Sequence, residues 1–389
     1  MGERLGRAGA ARPPGPLVWL HGASIGEALA LTPLFAPLAE RATLLLTTGT
    51  VTGAAVVAPR LASGALHQFA PLDLPGAVSR FLDHWRPDAL LLAESELWPN
   101  TIGACHKRGV PVCVVNARLS ERSFRRWRWA ARSARDLFGR LALCLAQSPD
   151  HAARFAALGA PCTAVTGNLK WDAPAPWADG DAFARLRAAL GSRPVLLGVS
   201  THPGEEAMLL DAHCALRARW PTLLTILAPR DIGRGGRIAR LAAERGLDAG
   251  LRSAQTAIGP TCDVLVADSV GEMGLWLGVA TIAVVGKTFG RGGGQNPLEA
   301  AKSRVPLVHG PSTFQFEDVF ASLGEAGGAI ALSDPASLSA VLEELLADPA
   351  RRVAIARRAA RAVDALGGAA ARTLAALAPL LPAPAPNPH

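Results

Sequence analysis

This chain of 389 residues lacks several things that would decide its class at once. It has no uncharged apolar window of about 18–20 residues, so no segment reads as a transmembrane span. Its opening residues, up to Pro16, are rich in Arg, Gly and Pro and lack the apolar centre of a secretory signal. The cysteines (Cys105, Cys113, Cys144, Cys162, Cys214, Cys262) are scattered and form no CxxC pair. That argues against a zinc site or a disulfide framework and suits a reducing cytoplasm. There is no complete Gly-x4-Gly-Lys-Ser/Thr P-loop, which disfavours an NTPase. No close His/Asp cluster suggests a metal, and no nucleic-acid module or solenoid repeat is visible.

What is present is apolar and basic. Half the residues are hydrophobic, enough for two domains with sizeable cores. The net charge is +8, and it is uneven: residues 1–176 carry 19 Lys+Arg against 12 Asp+Glu (+7), leaving 21 against 20 (+1) for residues 177–389. A basic first half suggests an anionic partner there. Much of the excess lies in Arg122, Arg125, Arg126, Arg128, Arg132 and Arg135, interleaved with Phe124, Trp127 and Trp129. Arginine with tryptophan suits a phosphate-bearing membrane interface, and a solvated amphipathic helix is the plainer alternative.

Apolar strand-like runs alternate with helical patterns. Strands are expected near 17–21, 43–48, 65–70, 88–93, 110–115, 141–146 and 162–166, then near 194–199, 222–228, 263–267, 281–286 and 305–309. This is the βαβ signature of parallel sheets with helices on both faces, hence Rossmann-like domains. Alternate prolines in Trp171–Trp177 mark a linker. The expected domains are 1–172, a linker 173–180, 181–375, and a Pro/Ala-rich tail 376–389, disordered near its end.

Candidate chemistry sits at strand ends, where open α/β sheets bind ligands. Ala93-Glu94-Ser95-Glu96-Leu97-Trp98-Pro99-Asn100 follows the run Ala89–Leu92 and places two carboxylates two residues apart, facing the same side of that strand's end. Carboxylates are costly to bury without a task or a partner; two solvated glutamates are the bland reading. Leu17–His21 is followed by Gly22-Ala23-Ser24-Ile25-Gly26-Glu27 and a helix expected from Ala28 to Leu38. Ser24 is a candidate N-cap. Glu27 falls in the first turn, where the helix dipole favours its ionised form, so it is either a general base or a capping-box acid. In the second half, Ser200-Thr201-His202 and Pro203–Glu206 form a strand-to-helix turn offering hydroxyls, an imidazole and backbone N–H groups to an anion. Arg230, after Pro229, can pair with phosphate or carboxylate. Gly271-Glu272-Met273 is another such turn. Gly290–Gly294, followed by Gln295-Asn296-Pro297-Leu298-Glu299, suits a nucleotide: glycines admit a phosphate, and Glu299 can accept from ribose hydroxyls.

These residues strongly resemble the 3-deoxy-D-manno-octulosonic acid (Kdo) transferases of lipopolysaccharide synthesis. The resemblance runs from Glu3 to about Ala329. It is carried by His21–Glu27, Thr47–Gly53, Glu94–Asn100, Asn116–Ser120, Gly167–Asp172, Ser200–His202, Pro229-Arg230, Gly271–Met273 and Gly293–Glu299. The resemblance implies a GT-B fold, two Rossmann-like domains facing a cleft, and inverting transfer of Kdo from CMP-Kdo to a hydroxyl of the lipid A precursor. It implies Glu27 as general base, with Glu94 and Glu96 orienting the acceptor or supporting the base. Pro229, Arg230, Gly271, Glu272, Met273, Asn296, Pro297, Leu298 and Glu299 would hold CMP, and Lys170, Ser200 and Thr201 would face the donor's carboxylate or phosphate. Arg118, Arg122, Arg125, Arg126, Trp127 and Trp129 would serve the acceptor and an anionic membrane surface. No metal or other cofactor is expected, and no nucleic acid. The implied location is the cytoplasmic face of the bacterial inner membrane, peripheral here. Members of the family usually carry an N-terminal hydrophobic anchor, and this chain starts just after the place where it would end. Gln295 stands where the family usually has histidine. Competing readings are a GT-B enzyme with another nucleotide sugar (a UDP-sugar transferase or epimerase) and a non-catalytic lipid-binding protein.

Overall fold

The computed structural model describes residues 2–57, 61, 64–176, 178–254, 259 and 261–382. The chain forms two compact units, one of residues 1–173 and 367–389, the other of residues 174–366. In the first unit the strands are β1 (Leu17–Gly22), β2 (Thr43–Thr48), β3 (Leu66–Phe69), β4 (Ala89–Ala93), β5 (Val112–Ala117), β6 (Leu143–Ala146) and β7 (Thr163–Val165). They form one sheet in the order β3-β2-β1-β4-β5-β6-β7, with every pairing parallel. The second unit has β8 (Val195–Thr201), β9 (Leu224–Pro229), β10 (Ala249–Leu251), β11 (Val264–Val266), β12 (Ile282–Val285), β13 (Leu307–His309) and β14 (Ala329–Ala331). Their order is β10-β11-β9-β8-β12-β13-β14, again parallel throughout.

The central strands are the continuous apolar runs, because helices cover both faces of a parallel sheet. Leu17, Val18, Trp19 and Leu20 are all buried, as are Ala89 to Ala93. Trp19 packs on Phe81 with ring centroids 4.3 Å apart, and its indole N–H donates to Thr47 Oγ1 at 2.8 Å. Strand order reverses between β1 and β4 in the first sheet and between β8 and β12 in the second. A crevice opens at the carboxyl ends of the strands at such a point.

Three expectations are corrected. The helix expected from Ala28 to Leu38 is two helices, Ile25–Ala30 and Thr32–Ala39, because Pro33 has no N–H to continue the ladder. β10 and β14 were not expected; three residues at a sheet edge carry too little apolar signal. The second domain ends at Leu366, not at 375. Gly368, at φ 85°, follows the long helix Pro349–Leu366, and its N–H donates to Asp172 Oδ1 at 2.7 Å. The helix Ala369–Leu377 then buries Ala369, Thr373 and Leu377 in the first unit. Thus residues 376–382 belong to a core, while the disorder expected near the terminus falls on 383–389, outside the described residues. Of the expected linker, Trp177 also lies outside them, and Asp179 already caps the helix Gly180–Leu190.

Candidate active site

Glu27 stands at the carboxyl end of β1, and Glu94 and Glu96 at that of β4, so the three acids flank the reversal point of the first sheet. The capping box forms: the Ser24 N–H donates to Glu27 Oε2 at 3.0 Å and the Glu27 N–H to Ser24 Oγ at 3.3 Å. It does not settle the carboxylate's charge as the helix dipole suggests. Burial raises the Glu27 pKa above its ordinary value and the Glu96 and Glu94 carboxylates add to this, opposed by the backbone hydrogen bonds at Ser24 and Ala23. A carboxylate so poised is a better proton acceptor near neutral pH than an exposed one.

The acidic pair is not held by strand alternation. β4 stops at Ala93 and Glu94 takes a left-handed φ of 54°, a conformation of order 1–3 kcal/mol above the common wells. Glu94 Oε1 meets Lys170 Nζ at 2.5 Å. Glu96 Oε2 lies 3.8 Å from His21 Nε2, whose other ring nitrogen lies 2.9 Å from Thr47 Oγ1. Lys170 thus lies in the first unit, on Glu94 of the acidic pair. The cause is local. Asn116 Oδ1 accepts from Leu169 N at 2.9 Å and Asn168 Oδ1 from Lys170 N at 3.1 Å, fixing a 3-10 turn over Leu169–Trp171. His21 and Asn116 lay in motifs without an assigned role; a buried polar residue inside an apolar strand was the available signal.

The all-parallel second sheet brings the other donor candidates to one end: Ser200 and Thr201 close β8, Pro229 ends β9 and Arg230 follows it, Gly271–Met273 follow β11, and Asn296–Glu299 follow β12. Several polar groups there are already used. Ser200 has φ 51° at a bulge, and the buried Thr201 hydroxyl donates to Glu206 Oε1 at 2.8 Å. Arg234 clamps Glu206 with two bonds of 2.8 and 2.9 Å. Backbone N–H groups expected to greet an anion at 202–206 are not all open: Glu205 accepts from His202 N (2.9 Å), Lys287 N (2.8 Å), Thr288 N (3.1 Å) and Phe289 N (3.3 Å). Glu272 is paired with Arg252 and Ser269, and Arg252 holds its pKa below the ordinary value. Asn296 Oδ1 caps Leu298 N at 3.0 Å, with Pro297 before the short helix Leu298–Lys302 that carries Glu299. The Arg230 side chain is exposed and forms no ion pair among the described residues. Gln295 Nε2 lies 2.9 Å from His202 Nε2, and burial lowers the His202 pKa. An amide donor on that nitrogen fits a neutral imidazole.

The Arg/Trp segment forms the helix Glu121–Trp129, capped by Ser120. Its two faces differ. Trp127 is corrected from the surface set: it is half-buried against Phe138, with ring centroids 5.3 Å apart, because it falls on the same face as Phe124, toward the core. Trp129 is 94% exposed, and Arg122, Arg125 and Arg126 line a groove of about 820 Å³ beside it. Arg125 pairs with Glu121 at 3.0 Å, while Arg118 is exposed next to the acidic pair, its N–H donating to Glu94 O at 3.3 Å. Among the described residues no group of three or more His, Cys, Asp or Glu could hold a metal ion, and no helix is long and apolar enough to cross a membrane.

Residues 1–173 match the family described as 3-deoxy-D-manno-octulosonic-acid transferase (kdotransferase). The 3-deoxy-D-manno-octulosonic acid transferase of Bordetella pertussis is 40% identical over 390 residues, covering 96% of this chain and 90% of its own length. That of Haemophilus influenzae is 33% identical over 358 residues, 89% of this chain and 83% of its own. Among solved structures, the UDP-GlcNAc 2-epimerase from Neisseria meningitidis bound to UDP-GlcNAc superposes with a TM-score of 0.60 at 13% identity, over 94% of this chain and 100% of that one, a likeness of fold alone. The chain belongs to the 3-deoxy-D-manno-octulosonic acid transferase family; it is a glycosyltransferase of the GT-B fold class.

Proposed function

We propose that the protein transfers Kdo from CMP-Kdo to a hydroxyl of a lipid A precursor in lipopolysaccharide synthesis, with inversion. The observation that carries this reading is the Glu27 carboxylate, its pKa raised by burial and by the Glu96 and Glu94 carboxylates, at the reversal point of the first sheet. Glu27 accepts the proton of the acceptor hydroxyl while that oxygen attacks the anomeric carbon. The carbon–phosphate oxygen bond breaks, and CMP leaves with the electron pair. One displacement of this kind inverts the carbon. Glu94, fixed by Lys170, and Glu96, beside His21, orient the acceptor sugar. On the donor side the leaving group carries a single bridging phosphate, whose charge Arg230 and the N–H groups at Gly271–Met273 and Asn296–Glu299 offset without a metal. The exposed Arg122, Arg125, Arg126 and Trp129 meet the lipid's phosphates and the anionic membrane at its cytoplasmic face.

The test is turnover with CMP-Kdo formed in situ and a tetra-acylated lipid A precursor, with products resolved by mass spectrometry. Gain of one or more Kdo masses is expected. Glu27→Gln should cut the rate by about 10²–10⁴-fold and keep the melting temperature, because glutamine also completes a capping box. A folded parent chain without product, or a Glu27→Gln chain with full activity, refutes the reading.

A further inference from the structure

A pocket of about 490 Å³ lies at the reversal point of the second sheet, between β8 and β12, lined by the His202–Glu205 turn and the start of the glycine-rich loop but by none of the residues assigned to CMP. Its walls include His202, Met208, Lys287, Phe289, Arg291 and Pro335. Lys287 is held there by more than its own preference. It has a φ of 63°, unusual for a non-glycine residue. The carboxylate of Glu205 fastens three consecutive N–H groups, those of Lys287, Thr288 and Phe289. Gly292 leaves space for the lysine stem: a Cβ there would come within 2.3 Å of Lys287 Cγ. Gly286-Lys287-Thr288 thus ends like a P-loop, but Thr281 stands where the opening glycine would be and the N–H groups point to Glu205 instead of a ligand.

The ammonium so placed has no acid of its own. Its nearest hydrogen-bond partner is Gln315 Oε1 at 3.4 Å, and no ion pair involves it among the described residues. The one carboxylate on the pocket wall, Glu205, already accepts four N–H groups. Arg291, exposed on the wall, adds a second positive charge. Met208, Phe289 and Pro335 make an apolar wall suited to the C–H face of a sugar ring. Two facts favour a sugar carboxylate over a phosphate. The backbone N–H groups that would cradle a phosphate here are spent on Glu205. The volume is also that of a small-molecule pocket, roughly 300–1,000 Å³, and far exceeds one oxyanion.

We propose that this pocket receives the sugar-acid part of the donor, with Lys287 as counter-ion to its carboxylate and Glu205 as the residue that positions Lys287. The proposal rests on the donor being a nucleotide-activated sugar acid, as argued above.

The full chain is assayed over a CMP-Kdo series with saturating lipid acceptor, and CMP is titrated as product inhibitor. Lys287→Asn removes the charge yet keeps a residue that tolerates positive φ. The KM for CMP-Kdo should rise about 10-fold or more, the scale of one lost charge-assisted bond. Inhibition by CMP should stay that of the parent chain, and Lys287→Arg should recover part of the loss. An unchanged KM in a folded variant overturns the proposal. Equal weakening of CMP-Kdo and CMP overturns it as well and assigns the pocket to phosphate. If Lys287→Asn shows no thermal transition, Arg291→Gln, on the exposed part of the wall, decides by the same split. A parent chain that does not turn over CMP-Kdo refutes the donor assignment itself, a result distinct from a normal KM in the variant.

Discussion

Two sets of three glutamates at strand ends or helix starts, one set in each unit, have opposite surroundings. In the first unit Glu27, Glu94 and Glu96 share one lysine and one imidazole, and repulsion among them helps keep the Glu27 pKa high. In the second, Glu205 accepts four backbone N–H groups, Glu206 is clamped by Arg234 and Thr201, and Glu272 is paired with Arg252 and Ser269. A carboxylate with its lone pairs filled holds a loop in place. One left short of donors and pressed by like charge is ready to take a proton.

The largest effect that would sharpen this contrast is on stability. Glu206→Gln strips the charge from a pair whose side chains are only 2% and 14% exposed. Calorimetry should show a loss of about 3–5 kcal/mol, the usual cost of breaking one side of a buried pair. The acid limb of the pH–rate profile should stay where it is. A variant as stable as its parent would mean that Glu206 is not structural.

Glu96→Gln should do the reverse. The base form of Glu27 is lost as pH falls through its raised pKa, so kcat/KM declines on the acid side above the ordinary glutamate range. Removing the Glu96 charge makes deprotonation easier, so the acid limb should move to lower pH. An unmoved limb would break the link between the acids. Stability follows the same sign: the folded chain holds the Glu27 proton more tightly than the unfolded one, so this site's contribution rises as pH falls through the folded value. The smallest effect belongs to the helix Glu121–Trp129, whose faces repeat the contrast. Trp129→Ala should change stability by no more than ~0.5 kcal/mol and lower binding to anionic vesicles in flotation, whereas Trp127→Ala should destabilise. Unaltered vesicle binding would remove Trp129 from the membrane face.

Much of the fold is legible because buried parallel strands are continuous apolar runs: Leu17–Leu20, Ala89–Ala93 and Val195–Val199 need no tertiary information to be read. β10 and β14 are not legible, since short edge strands owe their state to a neighbour. Glu27 is legible as a first-turn acid, but whether it caps, catalyses or does both depends on burial. The partner of Lys170 is not legible, because its sequence neighbours say nothing of Glu94, 76 positions away. Glu205 is read as opening a helix next to open N–H groups; in the fold its own carboxylate fills several of them.

By itself the sequence determined the alternation of strands and helices, the division near Ala173, the family motifs and the strand ends at which chemistry would gather. These are local properties of spacing and residue type. Only the tertiary structure decided which acids are satisfied and which are not, that Lys170 neutralises Glu94, that residues 367–382 return to the first unit, and that Lys287 lines a pocket with no ion pair among the described residues. The physical reason is that desolvation and charge pairing depend on distance in space, and no spacing along the chain fixes them.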